Sequence, residues 1–446
     1  MGGLTRRVLA VMAAGGLLLG LVPVTSAATW VEFGTPTVES SFETGVRFSQ
    51  PVTVAKPAGR VELLLTVADA IGPTVIVVPD PPVAASTTLT HSAGADSDGH
   101  FLPNTPLVAR WRLVAADDPT DVQVGPEIRV TYADDRFAWK TEAGDIVRVH
   151  WTEGSDAFGQ RALRIAEDAI EETSALLGVT ESEPIDFYIY ADGDSFRDAI
   201  GPGIRENVGG LAVAGIRTLF GLIPPSQIDD AWVGIVIPHE LTHLVFDTAS
   251  ENPYHFPPHW LNEGVADYVS QGYTASYRAK VRDASRSGTL IPLDGLTGQF
   301  PTTAGRFLLA YAESVSAVDY LVRTYSTDAL VGLIRSYADG RTDDEAFSAA
   351  LGVDMTTFAA AWLDDLDARA PTRYGPQPAP SGPVPAAWAG SSGGGVAASP
   401  APGGVSGTDV ADVPAWLAPM VAIVGVVVVA MLLVAARRNR AAAGSS

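Results

Sequence analysis

The sequence predicts an α+β fold in which an all-β domain precedes a mixed domain, with one membrane-spanning helix near the C-terminus. Three observations support that prediction. Short apolar or alternating runs fill residues 29–136, strands and helices alternate from residue 137 and give way to helices after Asn262, and residues 416–436 contain no charged side chain. The 446-residue chain has no cysteine, so its stability must come from packed cores and bound ligands rather than disulfides.

The first 28 residues have the order of segments that is typical of a secretory signal peptide. Arg6 and Arg7 precede an apolar run over residues 8–22, and small residues follow up to Ala28. We expect cleavage after Ala27 or Ala28, which would place the mature chain outside the cytoplasm.

A second apolar run, residues 416–436, is predicted to cross the membrane. Its 21 uncharged residues are long enough to span a bilayer at a rise of about 1.5 Å per residue. Three arginines follow between positions 437 and 440, and such a positive flank favours the cytoplasmic side. A linker rich in Pro, Gly, Ala and Ser, residues 371–413, precedes this helix and cannot bury a core. We therefore expect a single-pass protein of the cell membrane with an extracytoplasmic body and a cytoplasmic tail, residues 437–446.

Residues 29–136 are predicted to form a β-sandwich, which we expect to be immunoglobulin-like. Their short apolar runs are separated by Pro, Gly, Asp and Ser, as strands are separated by turns. The predicted strands are 46–54, 61–67, 74–78, 108–114 and 127–132. Two interpretations stay open, a module that recognises or positions a partner and a spacer that covers part of the next domain, and we favour the spacer.

Residues 137–370 are predicted to form a small sheet followed by a helical half. The elements before residue 230 are strands at 146–151 and 185–190, an amphipathic helix at 157–177, and a hairpin of 209–215 with 218–223. After Asn262 the predicted helices are 261–271, 306–325, 328–338, 343–351 and 355–367.

The most informative feature of the chain is the segment His239-Glu240-Leu-Thr-His243. Residues four apart project from the same face of a helix, so the two histidines can bind one metal ion with Glu240 beside them. A catalytic zinc ion takes three protein ligands and keeps one position open, and Glu263 is a natural third ligand. The alternative, two structural histidines on a buried helix, would leave buried polar groups to be satisfied in another way. Pro238 predicts either a kink or a helix that begins there.

This motif, together with Trp260-Leu-Asn-Glu263-Gly-Val-Ala-Asp267-Tyr, resembles the gluzincin zinc metallopeptidases, in particular the peptidase MA-like group. The resemblance covers residues 137–370 and is most specific at 238–268. It implies that Glu263 binds zinc and that Asp267 hydrogen-bonds a zinc histidine, which fixes the ring. A metzincin would need a histidine at position 249, which is Ala. His255 and His259, in the intervening loop, are alternative ligands.

The resemblance also implies a tyrosine that donates its hydroxyl to the scissile carbonyl oxygen. It places Tyr311 in that role, and two alternatives stay open, Tyr254 or neither tyrosine, each then being a packing residue with its hydroxyl in water. Zinc would lower the pKa of a water molecule, and Glu240 would take the proton of that water and deliver it to the leaving nitrogen. The expected activity is zinc-dependent hydrolysis of a peptide or protein substrate.

Residues 209–213 bear on the kind of peptidase. Among the gluzincins that the chain resembles, aminopeptidases have a Gly-x-Met-Glu-Asn strand that captures the free amine of the substrate. This chain has Gly-Gly-Leu-Ala-Val at the corresponding place, without an acidic residue. The resemblance further implies that an edge strand here pairs with the substrate backbone, while the alternative that Gly209 and Gly210 are simply turn residues stays open. An endopeptidase is therefore favoured. Two other functions stay open, a catalytically silent binding or scaffold protein at the cell surface and a zinc hydrolase of a non-peptide bond.

Composition excludes several classes of function. The absence of cysteine excludes a thiol protease, and the chain has no Gly-x-Ser-x-Gly segment. A formal net charge of −22 argues against nucleic acid as a partner. No feature of the sequence specifies an oligomeric state.

Overall fold

The structure is a computed structural model that describes residues 29–371 apart from 43, 69, 71, 80–85, 95–99, 202–208 and 253–254. The predicted signal peptide, nearly all of the linker, the predicted transmembrane helix and the tail lie outside the described residues. Within the described part of the chain, no single helix is long and apolar enough to cross a membrane. Only the pair Asp343–Leu351 and Met355–Asp365 together has that length and composition, and it is bent by 64°.

The described chain forms two compact units. The first consists of residues 29–40, 46–93 and 107–130, and the second of residues 41–45, 94–106 and 131–371.

The first unit is built from strands in two sheets. Its strands are Val31–Phe33 (β1), Thr37–Ser41 (β2), Gly45–Val54 (β3), Ala58–Val67 (β4), Thr74–Val78 (β5), Ser86–Ala93 (β6), Thr105–Ala115 (β7), Val122–Val124 (β8) and Ile128–Tyr132 (β9). In one sheet β3 pairs with β1, β2 and β6, and the other has the order β5-β4-β7-β8, with β9 also on β7. The five predicted strands are confirmed as β3, β4, β5, β7 and β9, whereas the immunoglobulin-like topology stays a prediction.

The second unit contains a five-stranded sheet. Its strands are Lys140–Ala143 (β10), Val147–Trp151 (β11), Ile185–Tyr190 (β12), Gly210–Val213 (β13) and Thr218–Leu222 (β14). The order is β10-β11-β12-β14-β13, in which the two inner pairs are parallel and the outer strands β10 and β13 are antiparallel to their neighbours. The predicted hairpin is confirmed, and β13 lies at an edge of this sheet.

Helices dominate the rest of the second unit, as predicted. They are Asp156–Leu177 (α1), Gly193–Ile200 (α2), Val233–Ser250 (α3), His259–Ser270 (α4), Ala275–Ser287 (α5), Ala304–Thr324 (α6), Thr327–Ala338 (α7), Asp343–Leu351 (α8) and Met355–Asp365 (α9). Helices α2 and α5 are not among the predicted elements. In α5 only Val281 and Ala284 are buried, so the periodic apolar signal is weak.

Two features of the packing position the residues of the candidate site described below. Helix α3 packs against α1, α4 and β13, and α4 packs against α6. A Cβ atom at Gly264 would lie 2.6 Å from the backbone oxygen of Ser314, so the glycine permits α4 and α6 to approach closely.

Pro238 lies inside α3, which begins at Val233, so the alternative in which a new helix begins at Pro238 is wrong.

Candidate metal centre

The side chains of His239, His243 and Glu263 converge between α3 and α4. Their ligand atoms all lie within 4.8 Å of one another. Glu263 Oε2 is 3.4 Å from His239 Nε2 and 3.7 Å from His243 Nε2. Ligands bound at about 2.1 Å to a tetrahedral zinc ion are about 3.4 Å apart, so these separations match the coordination geometry of zinc.

The electrostatics of this cluster favour a cation. Glu263 is buried, and its Oε2 atom has no hydrogen-bond partner among the described residues, which is costly for a carboxylate. Burial acts to lower the pKa of His239, but the carboxylates of Asp267 and Glu263 raise it well above its usual value. Burial acts to raise the pKa of Glu263, but the imidazoles of His243 and His239 lower it to about 2. The three residues therefore fit Zn²⁺, which would satisfy the orphaned oxygen.

Each histidine is oriented through its second ring nitrogen. Asp267 Oδ1 lies 3.2 Å from His239 Nδ1, and Asn262 Oδ1 lies 2.7 Å from His243 Nδ1. Gln271 Nε2 donates to the same Asp267 oxygen at 3.0 Å. These contacts hold both Nε2 atoms toward the metal position. Asn262 is not among the predicted site residues, and its only sequence signal is its place immediately before Glu263.

Glu240 points from α3 toward the edge strand β13. Its Oε2 atom accepts a hydrogen bond from the Ala212 backbone N–H at 3.0 Å. Glu240 directly follows His239 on α3, and in addition to burial its charge helps to raise the pKa of Tyr311, so its carboxylate lies near the three predicted ligands. A carboxylate in that place can accept a proton from a water molecule at the metal position.

Comparison with known families gives a match over this part of the chain. Residues 165–368 match the profile of the Peptidase MA superfamily. The match includes the five residues His239, Glu240, His243, Glu263 and Tyr311, and it supports a gluzincin-like peptidase. The comparison with curated proteins found no match.

Two solved structures are among those similar to the chain. An aminopeptidase N family protein from Idiomarina loihiensis is 10% identical, with 74% of this chain and 78% of that chain covered and a TM-score of 0.42. An M1 zinc metallopeptidase from Deinococcus radiodurans is 13% identical, with 79% and 97% covered and a TM-score of 0.33. At these scores the likeness adds nothing to the geometry of the metal centre.

Tyr311 lies on α6 beside the cluster of His239, His243 and Glu263. Its ring centroid is 6.3 Å from that of His239. Burial, and then the charges of Glu263 and Glu240, raise the pKa of Tyr311 well above its usual value, so the hydroxyl keeps its proton and can donate a hydrogen bond. Tyr254 lies outside the described residues, so the choice between the two tyrosines stays a prediction.

Neither alternative histidine belongs to the metal cluster found among the described residues. His255 Nε2 lies 3.0 Å from Asp343 Oδ1, which directs this imidazole toward α8. His259 Nε2 lies 3.5 Å from Glu263 Oε1, the oxygen that does not face the other histidines. His259 therefore contacts a predicted metal ligand without joining the group that could bind the ion.

Proposed function

We propose that this protein is a zinc endopeptidase that is anchored in the cell membrane and acts outside the cytoplasm. The observation that supports it most is the convergence of His239, His243 and Glu263 with Glu240 directed at the edge of β13. A catalytically silent scaffold, the alternative function, has no physical need of a general base in that place. The geometry of the cluster therefore favours an active hydrolase.

The residues of the site divide the work of hydrolysis between them. When bound, zinc supplies Lewis acidity, which lowers the pKa of water and polarises a carbonyl group. Glu240 accepts the proton of the attacking water and delivers it to the leaving nitrogen. Tyr311 donates a hydrogen bond to the carbonyl oxygen as negative charge develops there. Asp267 and Asn262 keep the two imidazoles in the orientation that the reaction requires.

The edge of β13 offers a place for an extended substrate. Leu222 N–H donates to Gly209 O, so the backbone groups of Gly209, Leu211 and Val213 face β14 and those of Gly210 and Ala212 face outward. The Ala212 N–H is bonded to Glu240, so among the described residues the Gly210 N–H and the carbonyls of Gly210 and Ala212 are left to pair with a substrate strand.

Cleavage within a chain fits the side chains of this strand. Position 212, where the similar aminopeptidases have the glutamate that binds a free amine, is Ala in this chain. Because β13 has no carboxylate at position 212 to bind a free amine, a substrate without a free N-terminus can bind this strand as well as one that has it. Side-chain preference would come from other walls of the cleft.

The proposed location rests on the sequence beyond the described residues. Residues 416–436 would anchor the protein, and the preceding linker of 43 residues, 371–413, would have a root-mean-square span of about 35 Å if it behaves as a flexible chain. That length would hold the catalytic unit away from the bilayer surface.

Glu240→Gln in the full-length protein tests the activity. We expect about one zinc ion per chain in both forms by elemental analysis, and hydrolysis of a peptide library to fall by at least about 100-fold in the variant. Paired library members with free and acetylated N-termini test the endopeptidase assignment, and both should be cleaved. Cleavage by the variant at the wild-type rate would exclude the mechanism. Zinc without any cleavage would favour the scaffold or a non-peptide substrate.

A further inference from the structure

We propose that Gly210 is a positioning residue for Glu240, because only a residue without a Cβ atom leaves room for the general base against β13. This inference rests on the proposed function, in which Glu240 accepts the proton. It adds a second task to the edge strand, which then determines both where the substrate lies and where the base points.

The contact is between the strand and the middle of the Glu240 side chain. A Cβ atom at position 210 would lie 2.7 Å from Glu240 Cγ and 3.1 Å from Cδ. Real Cβ atoms essentially never approach another heavy atom within 3.0 Å. Cγ is close to the helix backbone, and the carboxylate beyond it is bonded to the Ala212 amide, so the side chain cannot yield without losing that hydrogen bond.

The two interactions meet β13 in different directions, because a Cβ atom at Gly210 would stand on the face of the strand, whereas the Ala212 N–H points outward at its edge. Residues two apart in a strand project to the same side, so Gly210 and Ala212 both face α3. The intervening Leu211 and the following Val213 instead pack on the opposite side, against the cluster that contains Phe220. The missing side chain at 210 and the amide at 212 thus fix Glu240 at two points, its Cγ and its Oε2.

The requirement at position 210 is steric, since Gly210 is not among the residues with a positive φ angle. An alanine could adopt its backbone conformation without strain. A Cβ atom at Gly209 would meet nothing closer than 3.9 Å among the described residues, which is an ordinary contact with Trp232 and Val236. Gly209→Ala is therefore a matched control, with the same change of chain entropy one residue away.

Kinetics of the full-length protein give the first test. We expect Gly210→Ala to lower kcat by about 100-fold while KM and the dissociation constant for zinc change less than about twofold. Gly209→Ala should keep kcat within about twofold of the wild type. A fall in zinc affinity or in the unfolding temperature of Gly210→Ala would mean a structural role and would overturn the proposal, as would an unchanged kcat.

Hydrogen exchange at the Ala212 amide gives a second test that needs no activity. This N–H faces outward from the sheet, so Glu240 is its partner in the structure. Measured by mass spectrometry with residue-level fragmentation, exchange should be at least about tenfold faster in Gly210→Ala and in Glu240→Ala than in the wild type and Gly209→Ala. Unchanged exchange in Glu240→Ala would show that the hydrogen bond is absent and would refute the proposal even if Gly210→Ala did not fold. Failure of the wild type to cleave any peptide would instead refute the proposed function, while the exchange rates would still decide whether Gly210 places Glu240.

Discussion

Glu313 provides a test of the structure that does not depend on catalysis. It lies on α6, fully buried, and both its carboxyl oxygens face the Ile291 N–H, at 3.0 and 3.2 Å. Burial raises the pKa of Glu313 to about 8, against the smaller lowering effects of the Ile291 N–H and of Arg306. The folded protein therefore holds a proton at neutral pH that the unfolded chain releases.

The linkage between protonation and folding gives the size of the effect. The ordinary pKa of a glutamate is 4.5. Below that pH, Glu313 is protonated in both the folded and the unfolded state, so its raised pKa takes nothing from the free energy of unfolding. As pH rises toward about 8 the unfolded state loses its proton first, so the free energy of unfolding falls by about 1.4 kcal/mol per pH unit. At neutral pH the accumulated loss is about 3 kcal/mol.

Replacing Glu313 with Gln should remove this loss, because the amide has the shape of the protonated acid and keeps an oxygen for the Ile291 N–H. We expect Glu313→Gln to be more stable than the wild type by about 3 kcal/mol at neutral pH and nearly equal to it at low pH. Chemical denaturation of both proteins at a series of pH values measures the difference, in which any contribution from zinc cancels. Glu171→Gln, which removes an exposed carboxylate on α1, is the control. Parallel pH profiles for Glu313→Gln and the wild type would refute the raised pKa.

Two further predictions concern the metal centre. Glu263→Ala should weaken zinc binding by at least about 100-fold, because it removes one of three ligands; competition with a chromogenic chelator measures this, and an unchanged affinity would exclude Glu263 as a ligand. Tyr311→Phe should lower kcat by about 100-fold and leave zinc affinity unchanged, because only the hydroxyl that stabilises the oxyanion is lost. Steady-state kinetics test it, and a wild-type kcat would transfer the role to Tyr254 or to neither tyrosine.

Much of the fold follows from local signals in the sequence. The apolar periodicity of α1, α6 and α7 and the alternation in β3 predict these elements within a few residues of their ends, because each buries one face on a core. Helix α5 and strand β10 bury little, so no local pattern indicates them. Pro238 shows the opposite failure, since it is a local signal for a helix that begins there, whereas α3 begins at Val233 and continues through it.

The residues of the candidate site also fall into two groups, those that the sequence predicts and those that only the structure reveals. His239, Glu240, His243 and Glu263 follow from spacing, because metal chemistry limits which residue types can meet at one ion. The contact between Asn262 and His243, and the contact of β13 with Glu240, depend on how separate elements meet in space. Spacing along the chain contains no information about such contacts.

The close approach of α4 to α6 at Gly264 has a consequence for how this site can diverge. The gap between the helix that holds Glu263 and the helix that holds Tyr311 is limited by backbone atoms, which cannot change rotamer as a side chain can. Any larger residue at position 264 would shift these two helices against each other and so displace both Glu263 and Tyr311 in the proposed site. Changes that adapt the protein to new substrates are therefore expected in the loops around the cleft rather than at this contact between helices.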